Sequence, residues 1–182
     1  ERSGLVVNDL RTQFRLDKAN LYLQSLYLRL PKTELKANIT MALNAFSAYN
    51  PGQLAVSLNG FTTLNDLQPL LYGRVPSRFL HSIPAERINI TGFLRGNTHL
   101  FTLQKLCFRM PKHMVLNVDG RISGLQKPEN LSANLALRGS LQDVRFVKQL
   151  LPKSVNSTIK IPTGIDFNAK VKAQGPQYAA NM

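Results

Sequence analysis

The chain has 182 residues, enough for one ordinary domain. It carries 23 Lys+Arg against 10 Asp+Glu, a formal net charge of +13, while charged residues make up only 18% of it; the excess arises because acids are scarce. With 43% apolar residues and a single cysteine, the composition excludes a disordered chain, a disulfide scaffold and a collagen-like repeat.

Cys107 alone forms neither an internal disulfide nor a Cys-based zinc site. No stretch approaches the roughly 18 unbroken apolar residues of a membrane span. The chain starts Glu1-Arg2, without a start Met or a signal-peptide core, and ends Asn181-Met182. It reads as 1–182, one β-rich segment of a larger protein.

Along the chain the dominant pattern is alternation. Leu26, Leu28 and Leu30 open it. Leu35, Ala37, Ile39, Met41 and Leu43 come next, with Lys36, Asn38 and Thr40 between them. Leu54, Val56 and Leu58 repeat the pattern, and so do Ile88 and Ile90. Leu116, Val118, Gly120 and Ile122 alternate with Asn117, Asp119 and Arg121; Leu131, Leu135 and Leu137 with Ser132, Asn134, Ala136 and Arg138. Ile165, Phe167, Ala169, Val171 and Ala173 alternate with Asp166, Asn168, Lys170 and Lys172. Period two predicts strands with one apolar and one wet face. Two short helices are expected, Asp66 to Tyr72 and Asp143 to Leu151, each with an Asp placed to cap its first turn. Pro69 keeps the first one short. Asn50-Pro51-Gly52, Gly60, Gly92, Gly96, Gly120, Gly124, Pro128 and Gly139 mark turns or bulges at the spacing of an antiparallel meander.

An internal repeat organises these elements. LQSLYLRLPK, Leu23 to Lys32, matches LQKLCFRMPK, Leu103 to Lys112, at an offset of 80. In each copy the order continues: strand, turn, strand, short Asp-led helix, proline, strand. The repeat units run from about 21–98 and 99–175, and the tail after Ile165 looks like the start of a third. A repeating strand ladder without a closing element predicts a mainly β fold, an elongated, curled antiparallel sheet (a taco-like trough) with two short helices.

These residues resemble a family. LRLPKTELKANI and FRMPKHMVLNVDGRISGL are similar to the strand-Pro-strand turns of the bacterial AsmA/TamB superfamily, with its pattern L-x-L-x-x-P-x-[S/T]-x-L-x-x. LNGFTTLNDLQPLL, NITGFLRGNTHLFTLQKL and GLQKPENLSANLALRGSLQDVRFVKQLLP resemble the segments after that turn in TamB-like translocation and assembly modules. The likeness runs from about Leu21 to Gly175. His113 departs from the pattern where Thr33 fits it, and the basic charge is not a family feature. The resemblance implies a periplasmic segment of a Gram-negative envelope protein, anchored in the inner membrane by one N-terminal helix. It also implies a hydrophobic trough, with phospholipid acyl chains as cargo and outer-membrane assembly machinery as a partner.

Catalytic signatures are missing. His81, His99 and His113 lie 18 and 14 residues apart with no acid or Cys in ligand spacing, so no metal site is expected. No acid pair, nucleophile elbow, P-loop or dinucleotide fingerprint occurs. Cys107 falls on the face opposite the apolar stripe, beside Arg109, without a base. The chain is read as non-enzymatic and without a cofactor.

The candidate site is the apolar stripe itself: Leu26, Leu28, Leu30, Ile39, Met41, Val56, Leu58, Ile90, Leu106, Phe108, Met110, Val118, Ile122, Leu135, Leu137 and Phe167 should share one face. Two readings compete. One is a closed dry core, since burying each side chain contributes roughly 1.5–3 kcal/mol and folding alone explains the pattern. The other, on the family resemblance, is a lipid groove. The basic residues interleaved with the stripe form a wet face, open to anionic membrane or, less well, to nucleic acid; without Trp or an RNA-binding strand motif, nucleic acid is not expected. The glycosylation sequons at Asn38, Asn89, Asn130 and Asn156 are weak evidence for eukaryotic secretion. A fragment with an unpaired sheet edge can also self-associate there.

Overall fold

Alternating side chains leave both ladder edges of a strand free to pair, and here each strand pairs with the next. The computed structural model describes residues 6–71, 86–124, 130–142, 164–174 and 177–181. In chain order these form β1 (Asp9–Leu16), β2 (Asn20–Leu30), β3 (Thr33–Ala42), β4 (Leu54–Thr63), α1 (Leu64–Leu71), β5 (Arg87–Gly96), β6 (Leu100–Met110), β7 (Met114–Ser123), β8 (Ser132–Leu141), β9 (Ile165–Gln174) and β10 (Gln177–Asn181). The strands make one sheet in the order β1 to β10, antiparallel throughout. The sheet is not closed. It is the expected mainly β meander, of the open, curled-trough kind.

The register recurs. In β2, Leu23 pairs with Ile39 and Leu26 with Ala37, so Gln24 and Ser25 together oppose Asn38. In β6, Leu103 pairs with Gly120 and Leu106 with Val118, so Gln104 and Lys105 oppose Asp119. Ser25 and Lys105 adopt left-handed φ values of 51° and 50°. The Ser25 N–H donates to Asn38 Oδ1 at 2.9 Å, and the Lys105 N–H to Asp119 Oδ1 at 2.8 Å. An extra residue in a ladder leaves an amide without a strand partner. In both places the opposing strand supplies the acceptor from a side chain. The turns recur as well: Asp17 Oδ1 accepts the Ala19 and Asn20 N–H groups, and Asn97 Oδ1 accepts those of His99 and Leu100.

One difference between the two hairpins explains an oddity of sequence. Leu30 pairs with Thr33 across the two residues Pro31-Lys32, while Met110 pairs with Met114 across three, Pro111-Lys112-His113. His113 is therefore an added turn residue, and Met114 holds the register position of Thr33.

Several expectations need correction. The helix begins at Leu64, directly after β4 and before the expected Asp66, and runs to Leu71; Tyr72 lies outside the described residues. Asp66 does not cap its start; its carboxylate accepts the Lys32 N–H at 2.7 Å and ties α1 to the β2–β3 turn. The helix expected at Asp143 to Leu151 lies outside the described residues. Gly92 does lie at a bulge, opposite the extra residue of β6, and Gly96 ends β5 at its turn, whereas Gly60, Gly120 and Gly139 lie inside strands. Gly60 and Gly120, at φ of 156° and 145°, take a conformation that L side chains rarely adopt, and a Cβ on either would meet the neighbouring strand's backbone. Such kinks, with the bulges, are devices that curl a sheet. Leu43 falls just past the end of β3 and is exposed, and Leu131 precedes β8. Strand β9 continues the second set of strands, pairing with β8 as β5 pairs with β4, and only β10 lies beyond that set. Strand β1 was not expected at all.

Candidate functional site

Directly paired residues of an antiparallel sheet share a face. Tracing the pairs across the sheet sorts every strand residue. Leu10 pairs with Leu28 and Leu28 with Leu35. Leu26 pairs with Ala37, Ala37 with Leu58 and Leu58 with Gly92. Gly60 pairs with Ile90, Ile90 with Phe108 and Phe108 with Leu116. Leu106 pairs with Val118, Val118 with Leu137 and Leu137 with Ala169. Ile39 with Val56, Met41 with Leu54, Phe101 with Ile122, Gly120 with Leu135, and Gly139 with Phe167 complete the set. Leu30 and Met110, each two residues beyond Leu28 and Phe108, lie on the same side.

The register thus brings all sixteen candidate residues onto one face. The bulges matter here. Leu21 and Leu23 would fall out of phase with Leu26, Leu28 and Leu30 in a regular strand, because the spacing from 23 to 26 is three. The extra residue resets the phase, so both halves of β2 look the same way, and β6 repeats this for Phe101, Leu103 and Leu106. Sequence reading left out the β1 contributors Leu10, Phe14 and Leu16, together with Leu94, Phe101 and Leu103. Their signal was present as alternation, interrupted at the residues opposite or within the bulges.

This face runs across the nine strands β1 to β9, roughly 38 Å at the usual strand spacing. It is not uniformly dry. Leu30, Met110 and Val118 are buried, with Ala37, Leu103 and Ala169. The other thirteen candidates are half-buried. At the α1 end the face carries two buried hydroxyls, Thr33 and Thr62, which bond to each other at 2.8 Å and so satisfy their polar atoms without water. From β2 to β9 the remainder offers continuous apolar side chains without directional groups, which is what an acyl chain requires, and in β1 Thr12 stands between Leu10 and Phe14. Burying a dozen methylenes against such a surface is worth about 10 kcal/mol gross.

The opposite face is polar and basic. Arg11, Tyr27, Lys36, Asn59, Thr91, Cys107, Asn117, Arg138 and Asn168 form one cross-strand row of it. Cys107 is therefore on the polar face, between Thr91 and Asn117, as its spacing predicted. A shallow cavity of about 420 Å³ lies beside the β2 bulge, lined by Tyr27, Lys36, Asn38, Ser57 and Asn59 among others. A second of about 310 Å³ lies beside Asp119, with Arg121, Asn134 and Lys170. Of the histidines, His99 sits in the β5–β6 turn and His113 contacts Glu86 at 3.2 Å; His81 lies outside the described residues. Among the described residues no group of His, Cys, Asp or Glu could hold a metal ion. No described helix is long and apolar enough to cross a membrane.

The fold and face define a class: an open antiparallel meander with one apolar and one basic surface. Compared with known proteins, the chain matches no family model, no curated protein and no solved structure.

Proposed function

We propose that the chain is a non-enzymatic periplasmic segment of a TamB/AsmA-like envelope protein, and that its apolar face is a path for phospholipid acyl chains between membranes. The observation that carries this reading is the half-exposed apolar face running unbroken across an open sheet. A dry core has no use for that much accessible apolar surface. The sequence likeness to the strand-Pro-strand turns supports it from an independent direction. On this reading the same face also accommodates apolar outer-membrane protein strands during assembly, and the parent protein is anchored in the inner membrane.

The test is native mass spectrometry of the purified chain, with lipid extraction of the same sample. Phospholipid should accompany the wild-type protein and be lost from Leu28→Asp and Phe108→Asp variants whose circular dichroism is unchanged. Both side chains are half-buried on the face, so a carboxylate there remains partly hydrated and the fold survives. A lipid-free monomer that also ignores added phospholipid would leave the face as core and remove transport from this segment.

A further inference from the structure

Among the described residues, the two long rims of the sheet, where its strands begin and end, differ in charge. At the rim carrying α1 and the Pro-Lys turns, the described bases Arg11, Arg29, Lys32, Arg87, Arg109 and Lys112 are nearly balanced by Asp9, Glu34, Asp66, Glu86 and Asp166, with Arg11 and Asp9 ion-paired at 2.7 Å. At the other rim the register aligns Arg15, Arg95, Arg121 and Lys172 in one cross-strand row, joined by Lys18 in the adjoining turn. All five are exposed. The acids near them among the described residues are Asp17, whose carboxylate accepts the Ala19 and Asn20 amides, and Asp119, which shares a cavity with Arg121 and accepts the Lys105 amide.

The basic rim also carries the exposed large apolar side chains of the β3–β4 connection. Phe46 is 71% and Tyr49 97% exposed, and Leu43, Leu16 and Leu100 beside them are exposed too. The connection is a built loop. The Leu43 N–H donates to Ala19 O at 2.8 Å, and the Gly52 N–H to Asn44 O at 3.0 Å. Asn44 Nδ2 donates to Asn50 O at 2.9 Å, and Asn97 Nδ2 reaches Pro51 O at 3.5 Å from the β5–β6 turn. Ala45 and Pro51 are buried beneath it. The loop is thus held in shape by its own hydrogen bonds, and it carries Phe46 and Tyr49 exposed to solvent.

Aromatic and aliphatic side chains projecting from a rim edged with an excess of arginine and lysine match one kind of partner, the interface of an anionic bilayer. The cations meet headgroup phosphates, and the rings enter the headgroup layer. Nucleic acid fits less well, because binding a single strand there calls for free rings on which bases can stack. The row's own aromatic, Tyr22, is already covered by the Arg15 guanidinium at 4.3 Å. We infer that this rim, the Leu43–Tyr49 loop with the row Arg15, Arg95, Arg121 and Lys172, docks on the surface of an anionic phospholipid bilayer. This goes beyond acyl-chain passage: it concerns a different surface and stands if the apolar face proves to be core.

The experiment is co-sedimentation of the whole chain with phosphatidylglycerol vesicles and with phosphatidylcholine vesicles. Neutralising three row cations together, Arg95→Gln, Arg121→Gln and Lys172→Gln, should weaken partitioning onto phosphatidylglycerol by on the order of 100-fold. An equal change at the opposite rim, Arg29→Gln, Lys32→Gln and Lys112→Gln, should weaken it only a few-fold through net charge. A Tyr49→Trp variant should shift its emission to the blue on phosphatidylglycerol and be quenched by brominated acyl chains. Thermal melts confirm that each variant is folded. Equal losses from the two triple variants would reduce the attraction to net charge and overturn the proposal. So would vesicle binding that leaves the Tyr49→Trp emission unchanged, or a preference for single-stranded nucleic acid that vesicles do not compete.

Discussion

Replacing Gly120 by Ala tests whether the kinks of this sheet are built in or incidental. Gly120 lies inside β7 on the apolar face, paired with Leu103 and Leu135. Its φ is 145°, and an added Cβ would lie 2.2 Å from Asn134 O and 2.9 Å from Leu135 Cα. These are backbone atoms of the next strand, so no side chain can swing aside. Holding an L residue in that conformation costs about 1–3 kcal/mol, and easing the contact weakens ladder bonds worth about 1 kcal/mol each. The stiffer unfolded chain returns about 0.4–1 kcal/mol. The net expectation is a loss of about 2–3 kcal/mol, or a fall in Tm of about 5–10 °C for a chain of this size. Gly164→Ala is the control: its nearest neighbour, Leu141 O, is 3.5 Å away, an ordinary contact, and it should melt within about 1 °C of the parent. The readout is thermal and urea unfolding monitored by far-ultraviolet circular dichroism. If Gly120→Ala melts with the control, β7 can relax to a regular strand, and the kink is not what shapes the sheet.

Two further perturbations probe the polar groups. Thr62→Val leaves the buried Thr33 hydroxyl without its 2.8 Å partner and should cost about 1–3 kcal/mol; the double variant Thr33→Val with Thr62→Val should cost less than the sum of the singles, read from a urea double-mutant cycle. Asp17 has its carboxyl held below the ordinary 3.8 by the Ala19 amide, then the Asn20 amide, with Arg15 contributing least. A lowered folded-state pKa stabilises above the unfolded value and is lost as pH falls through the folded one. Tm measured from neutral pH downward should therefore drop less below pH 3.8 for Asp17→Asn than for the parent, because Asn keeps the turn, as Asn97 does, without titrating.

The fold was legible in the sequence wherever alternation ran unbroken, because period two is a property of the strand itself. β3, β7 and β9 show it plainly. Reading faltered where a tertiary partner completes the logic. The shift of phase between Leu23 and Leu26 is interpretable only beside Asn38, which accepts the bulge amide from the next strand. Thr12 of β1 opposes the other side of that bulge, which interrupts the run Leu10, Phe14, Leu16 and hid the strand. Asp66 has the look of a helix cap, yet its acceptor role goes to Lys32, 34 residues away. The apolar face could be named residue by residue because burial tracks the period. The exposed rim could not, since nothing local separates Phe46 and Tyr49 from core aromatics. They are exposed on a β3–β4 loop that closes through bonds to Ala19 and Asn97, partners distant in sequence.

The bulges connect these observations. A regular ten-residue strand has a single phase, and a sheet of such strands twists without further curl. Each extra residue in β2 and β6 turns the strand while keeping its two halves on one face, so curvature is gained without breaking the apolar surface. The cost is an orphaned amide, which Asn38 and Asp119 meet from the polar side. That arrangement makes the two faces interdependent: the polar residues opposite the bulges hold the backbone shape on which the continuity of the apolar face depends. The hairpins can differ in turn length, as His113 shows, because that variation lies at the rim. The bulge cannot be lost without turning half of β2 or β6 over and presenting its polar side chains to the apolar face.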